Sequence, residues 1–129
     1  DLIISTDCPC GSGRSFDACC APFIRGERLP PGAEALMRSR YSAYVLGVEA
    51  YLLATWHPAT RPARLDLEAE PRPRWLGLSV KASRELDAEH ARVEFVARYK
   101  IGGRAFRLHE NSRFERIDGR WFYLDGEVA

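Results

Sequence analysis

All four cysteines of the 129-residue chain stand in one stretch, Cys8-Pro9-Cys10-Gly11-Ser12-Gly13-Arg14-Ser15-Phe16-Asp17-Ala18-Cys19-Cys20. Two pairs of thiols lie eight residues apart, with Gly11-Ser12-Gly13 directly behind the first pair. This is the donor set of a metal site. Zinc takes four ligands in a tetrahedron, and thiolates are its preferred structural partners. Gly11 and Gly13 let the backbone fold tightly enough for its amides to point at the sulfurs. Four thiolates leave the complex doubly negative, and amide donors and Arg14 would offset that charge. A catalytic zinc keeps one position open; Cys8, Cys10, Cys19 and Cys20 together would close it, so the site reads as structural or as a recognition knuckle. Two alternatives stay open. Disulfides could join Cys19 and Cys20 to Cys8 and Cys10 in an oxidising compartment, although a bond between adjacent Cys19 and Cys20 would strain the peptide between them. An iron–sulfur cluster can also be held by four thiolates. No signal-peptide pattern is present, in a chain that starts at Asp1 rather than Met, and the expectation is a reducing, cytoplasmic setting.

A second constellation sits near the C-terminus. Counting by twos, Phe106, Leu108, Glu110, Ser112 and Phe114 share one face of a strand, and Arg107, His109, Asn111 and Arg113 share the other. The apolar members mark the first face as the inner one, so Glu110 is expected to point inward. A buried carboxylate needs a cation or hydrogen-bond donors. Arg40, which falls inside an apolar helical stripe, is the expected partner, and its fork fits a carboxylate bidentately. Glu110 and Arg40 are then either a structural pair tying helix to sheet or, with His57 and Ser112, the polar lining of a ligand pocket. A bulge in the strand would reverse its faces and bring His109 inward.

The elements that must position these groups are legible from pattern. Pro30 and Pro31 precede, and Gly47 follows, a helix expected over residues 33–46. Leu36, Met37, Tyr41, Tyr44, Val45 and Val48 form its stripe, with Glu34 and Arg38 near the edge. A short buried helix fits residues 48–56 and ends where His57 precedes Pro58. Pro62, Pro71 and Pro73, following Pro58, break residues 59–73 into a loop with at most a helical turn over 65–68. Strands are expected over 75–84 (Leu76, Leu78 and Val80 on one face), 91–101, 104–117 and 120–124. They are joined at Asp87-Ala88-Glu89, Gly102-Gly103 and Asp118-Gly119, the last two being hairpin signals. Helices followed by an antiparallel meander make the class α+β.

Cys8-Pro9-Cys10-Gly11-Ser12-Gly13 followed by Cys19-Cys20 resembles the SEC-C motif, the zinc knuckle at the C-terminus of the SecA translocation ATPase; Cys20 takes the place of a histidine often found there. The remainder resembles the YchJ family of bacterial proteins. The carrying residues are Ala33-Glu34-Ala35-Leu36-Met37-Arg38-Ser39-Arg40-Tyr41-Ser42-Ala43-Tyr44, Tyr51-Leu52, Thr55-Trp56-His57-Pro58, His109-Glu110-Asn111-Ser112-Arg113-Phe114 and Trp121-Phe122-Tyr123-Leu124-Asp125-Gly126. The resemblance implies a nuclear-transport-factor-2-like (NTF2-like) domain over residues 29–129, with helices packed in a curved, cone-shaped antiparallel sheet around a pocket, and a knuckle over residues 1–28. Many relatives carry a second SEC-C motif at the C-terminus, which is not found before Ala129. In SecA the knuckle meets the SecB chaperone, so the resemblance also implies a protein or ribosomal partner here.

Composition narrows the functional classes. A hydrophobic content of 46% is enough for one domain with a real core. The net charge of +1 makes no bulk electrostatic case for nucleic acid or membrane. No apolar run approaches the roughly 18 residues that cross a bilayer. Arg92, Arg98, Lys100, Arg107 and Arg113 could form a basic patch, but Glu94 and Glu115 interrupt it, and a solvated face is expected. The expectation is a zinc-binding protein whose knuckle docks a partner or serves structure; the alternative is a small-molecule-binding protein or enzyme that uses the pocket around Arg40, Glu110 and His57.

Overall fold

The structure, a computed structural model, describes residues 7–128; the rest of the lead-in and Ala129 lie outside the described residues. A 3-10 turn at Phe16–Ala18 and a one-turn helix α1 at Ala21–Ile24 complete the cysteine loop. Helices α2 (Ala33–Leu46) and α3 (Glu49–Ala54) follow, then strands β1 (Arg74–Glu85), β2 (His90–Ile101), β3 (Arg104–Ile117) and β4 (Arg120–Val128). The strands form one antiparallel sheet in the order β1-β2-β3-β4. Helix α2 packs against β1, β2 and β4, so the α+β meander read from the sequence is the observed class.

Helix α2 keeps the expected bounds and ends on Gly47 in the left-handed conformation. Residues 65–68 form only a turn at 67–68, because the prolines around them remove amide donors. Strand β4 runs four residues past the expected end at Leu124. Its Glu127 and Val128 pair with Asn111 and Glu110, and that pairing outweighs the weak strand propensity of the Asp-Gly-Glu run. The β3–β4 turn takes positive φ at both Asp118 (49°) and Gly119 (80°), as a two-residue hairpin of the right twist requires.

Bulges curve the sheet and correct one expectation. The β1–β2 register skips at Leu76 and again at Lys81. The first extra residue turns Trp75 toward the core and leaves Leu76 47% exposed, so Leu76 does not share the face of Leu78 and Val80. In contrast, the β2–β3 register is continuous, and the extra residue opposite β3 is Leu124 of β4. The faces of β3 therefore stand as counted: Ser112 and Phe114 are buried on the inner face, and His109 lies on the outer one, 2.6 Å from Glu94.

The core lies between α2 and the concave face of the sheet. Leu36, Met37 and Tyr41 meet Val93, Phe95, Phe114 and Trp121, and the four cysteines belong to the same buried cluster. The β1–β2 connection is organised by Asp87, whose carboxylate accepts hydrogen bonds from the Glu89 amide (2.8 Å) and from Nδ1 of His90 (2.8 Å). That contact raises His90 above the ordinary imidazole value of 6.5. A histidine raised in this way favours the fold below its unfolded pKa and loses that contribution as pH rises through the folded value. An NMR titration is expected to put the His90 midpoint above 6.5, and Asp87→Asn to lower it.

Candidate metal centre and pocket

The cysteine loop closes as a small knuckle. Asp7 bridges Ser15, and the Cys8 amide donates to the Arg14 carbonyl at 2.9 Å. The 3-10 turn then brings Cys19 and Cys20 back beneath the first pair. The Sγ atoms of Cys8, Cys10, Cys19 and Cys20 all lie within 4.8 Å of one another, and each residue is 5% exposed or less. No two sulfurs are bonded: the four are free thiols, with Cys10 and Cys19 3.6 Å apart and Cys19 and Cys20 3.9 Å apart. Phe16, partly buried, packs against the core cluster to which the four cysteines belong.

What surrounds the sulfurs differs from the expectation in one respect. The Gly11 amide donates to the Cys8 carbonyl (3.2 Å) and not to a thiol. Side chains do the work instead. Ser12 Oγ lies 3.2 Å from Cys19 Sγ and Arg14 Nη2 lies 3.7 Å from it. Two partners come from α2: Arg38 Nη1, 3.9 Å from Cys10 Sγ and hydrogen-bonded to the Cys10 carbonyl at 2.9 Å, and Ser42 Oγ, 3.5 Å from Cys8 Sγ. Arg38 is itself held by Glu34 at 3.0 Å, one turn away. Neither Arg38 nor Ser42 was singled out from the sequence as a support of the cysteines. The signal was there in part: an arginine at the edge of an apolar stripe faces whatever packs beside that helix. Gly11 makes the third junction, with φ 79° and an added Cβ only 3.2 Å from the Leu78 carbonyl of β1.

The thiols fit a divalent cation. Hydrogen bonding from Cys20 stabilises the Cys10 thiolate and pulls its pKa down. That same contact, with burial, pushes Cys20 up, and burial pushes Cys19 up. A buried group of four thiols without a cation thus resists full ionisation, because each further thiolate faces the first across a dry gap. A dipositive ion removes that obstacle, and soft tetrahedral donors suit zinc.

The second site is a cavity of about 260 Å³ between α2 and the sheet. Arg40, Glu110 and Ser112 all line it, as expected, but Arg40 and Glu110 do not form the expected ion pair. Arg40 is 3% exposed and its Nη1 donates to the Leu52 carbonyl (2.8 Å) and to Thr55 Oγ1 (2.7 Å). Its guanidinium carbon lies 4.9 Å from the Trp56 ring centre and 4.6 Å from that of Tyr123. The two aromatic faces and the end of α3 satisfy the cation, so no carboxylate is needed in contact with it. Burial pulls the Arg40 pKa down, and Glu110 pushes it back only through space. Glu110 Oε2 accepts from Ser112 Oγ at 2.6 Å and from the Tyr123 hydroxyl at 3.4 Å. The carboxylate lies over Gly126, where an added Cβ would overlap it.

His57 does not join this cavity. Its Nδ1 accepts the Ala59 amide at 3.0 Å, so Nε2 carries the proton toward Glu115 at 3.1 Å. The residue anchors the chain to β4 through its own amide, which donates to the Tyr123 carbonyl at 2.7 Å. Tyr44, Tyr123 and Gly126 complete the polar end and were not read as site residues. Tyrosines on an apolar stripe and a glycine in a strand look like core and turn until a carboxylate is found beside them.

With both sites described, the chain can be compared with known proteins. Residues 7–22 match the SEC-C motif, and residues 32–126 match the middle NTF2-like domain of YchJ. The chain belongs to the YchJ family. A YchJ-family relative from Cupriavidus pinatubonensis, named only as a UPF0225 protein, is 57% identical, over 95% of this chain and 89% of its own. A UPF0225 protein of Chromobacterium violaceum is also 57% identical, over 95% and 93%. The solution structure of a SEC-C motif containing protein from Rhodopseudomonas palustris superposes with a TM-score of 0.85 at 36% identity, covering 96% of this chain and 99% of that one. The crystal structure of a SEC-C motif containing protein from Psychrobacter arcticus gives 0.80 at 31%, covering 99% and 86%.

Proposed function

We propose that this YchJ-family protein is a zinc-fastened binding protein, not an enzyme, working in the cytoplasm. Cys8, Cys10, Cys19 and Cys20 hold one structural zinc, and the concave cavity takes a small molecule. The observation that carries the zinc reading is the position of the four thiols. They sit in the same core cluster as α2 and β2, supported from α2 by Arg38 and Ser42, so the metal joins knuckle to domain. Saturating all four ligand positions leaves no place for a substrate on the metal, and the chemistry it supplies is a cross-link. The cavity reading rests on a mainly apolar hollow with Arg40, Glu110, Ser112 and Tyr123 converging at one end. Native mass spectrometry beside a thiol count under denaturing conditions tests the first part: one zinc and four reactive thiols per chain are expected, and a metal-free protein with fewer thiols would refute it.

A second reading has its own support. Between the end of the knuckle and α3 runs a groove of about 300 Å³ that includes Phe23, Leu29 and Trp121, with Arg25, Arg28 and Arg120 on it and no carboxylate among its lining residues. Arginine beside aromatic surface suits docking of an acidic protein or ribosomal partner through the knuckle. Capture of such a partner by the zinc-loaded protein should fail in the double variant Arg28→Glu, Arg120→Glu and survive Glu110→Gln.

A further inference from the structure

The cavity holds a buried cation and an anion that do not touch. Arg40 is satisfied by the end of α3 and by two aromatic faces, and Glu110 is held in place by Ser112, Tyr123 and the bare backbone at Gly126. Both hydrogen bonds to Glu110 run to Oε2, so Oε1 is the carboxylate's remaining acceptor. On α2, the Tyr44 phenol sits at the same end of the cavity beside the guanidinium; burial pushes its pKa up, and the Arg40 charge pulls it back. A neutral phenol lining the cavity has an O–H to donate. The polar end therefore offers one acceptor, Glu110, and donors on the side of Tyr44 and Arg40, in a space whose formal charges cancel. The walls are Met37, Trp75, Phe95 and Leu108, flat or apolar.

We infer that the cavity selects an uncharged, flat molecule carrying a hydrogen-bond donor and an acceptor side by side at one end, as in a primary aromatic amide, which bridges Glu110 to Tyr44 and Arg40 in place of a direct ion pair. This rests on the cavity being a binding site, as proposed above. A cavity of about 150 Å³ admits benzene, so the 260 Å³ here suits about ten non-hydrogen atoms. A carboxylate at the polar end would gain Arg40 but meet Glu110 unpaired, and an ammonium or amidinium would do the reverse. Each leaves one buried charge uncompensated, which costs more than a neutral pair of hydrogen bonds returns.

The test is an NMR titration of the zinc-loaded chain with four one-ring probes that differ at the head group: benzamide, benzoate, benzamidinium and ethylbenzene. The readout is the resonances of Trp75, Ala97 and Leu108. Benzamide is expected to bind at least about tenfold tighter than any of the others, a difference of about 1.4 kcal/mol. Glu110→Gln leaves the cavity with a net positive charge and is expected to move the preference to benzoate, a reversal that mere loosening of the fold would not produce. Tyr44→Phe gives a second handle and should weaken benzamide while sparing ethylbenzene. If a charged probe leads in the unmodified protein, or ethylbenzene equals benzamide, the ligand class is wrong while the cavity remains a binding site. If no probe moves the cavity resonances, both the class and the binding-site reading fall.

Discussion

Stripping the metal from the zinc-loaded protein is expected to unfold the domain and not only the knuckle. In many small zinc modules the metal holds a local loop. Here the sulfurs are part of the main core, beside Leu36, Met37 and Tyr41, and their supports Arg38 and Ser42 belong to α2, one wall of the cavity. Structural zinc in isolated finger peptides is worth about 10–16 kcal/mol, and a domain of ordinary size is stable by only about 5–15 kcal/mol. Losing the ion therefore removes a share comparable with the whole. It also leaves three buried thiols around a thiolate-prone Cys10, with only Arg38 and Arg14 at the edge of the cluster to offset the charge. Thermal unfolding by circular dichroism, with and without a strong chelator, should show the cooperative transition lost or lowered by tens of degrees. Metal loss should release one zinc per chain in parallel. A fully stripped protein with an unchanged transition would overturn the structural role.

The second large effect is expected at Arg40. Replacing it with Met keeps most of the volume, but removes hydrogen bonds to Leu52 and Thr55 and the stacking between Trp56 and Tyr123. Hydrogen bonds from a charged group are worth about 1.5–3 kcal/mol, and a desolvated cation–π contact about 2 kcal/mol. Against these stands the desolvation of the guanidinium, several kcal/mol, which the substitution relieves. The expected net is a loss of about 2–3 kcal/mol, or a fall of roughly 10 °C in Tm for a chain of this size. Glu110→Gln, in contrast, keeps the shape and the Ser112 hydrogen bond and should cost less than about 1 kcal/mol. A direct Arg40–Glu110 ion pair would make the two substitutions comparably damaging. Parallel denaturant titrations of both variants decide the matter, and equal losses would refute the separated arrangement described above.

Much of this was readable in the chain because it is local. The four-thiol donor set follows from four cysteines in one short stretch, and the bounds of α2 follow from prolines before it and Gly47 after it. The hairpins follow from Gly102-Gly103 and Asp118-Gly119. The inward aim of Glu110 follows from counting by twos along a strand whose apolar side is evident. The misreadings are all non-local. Alternation puts Leu76 on the face of Leu78 and Val80 because nothing in the sequence marks a bulge, which arises from the pairing of β1 with β2. The pocket reading includes His57 with Arg40 and Glu110, yet the return of β4 beside residues 55–57 turns it to Glu115. The Arg40–Glu110 pair was assumed because opposite charges on two inner faces should meet. Aromatic faces at Trp56 and Tyr123 made the meeting unnecessary.

The sequence by itself determined the chemistry on offer: a four-thiol site, an α+β meander, and one cation and one anion on faces that turn inward. Spacing and periodicity encode such properties because they depend on residues within a turn or a strand of one another. Only the tertiary structure decided that the knuckle shares its core with α2, and that Arg38 and Ser42 reach back to the cysteines. It alone decided that a cavity separates Arg40 from Glu110. Those relations join residues dozens of positions apart, and they are set by curvature and packing, which emerge when the sheet bends around the helix.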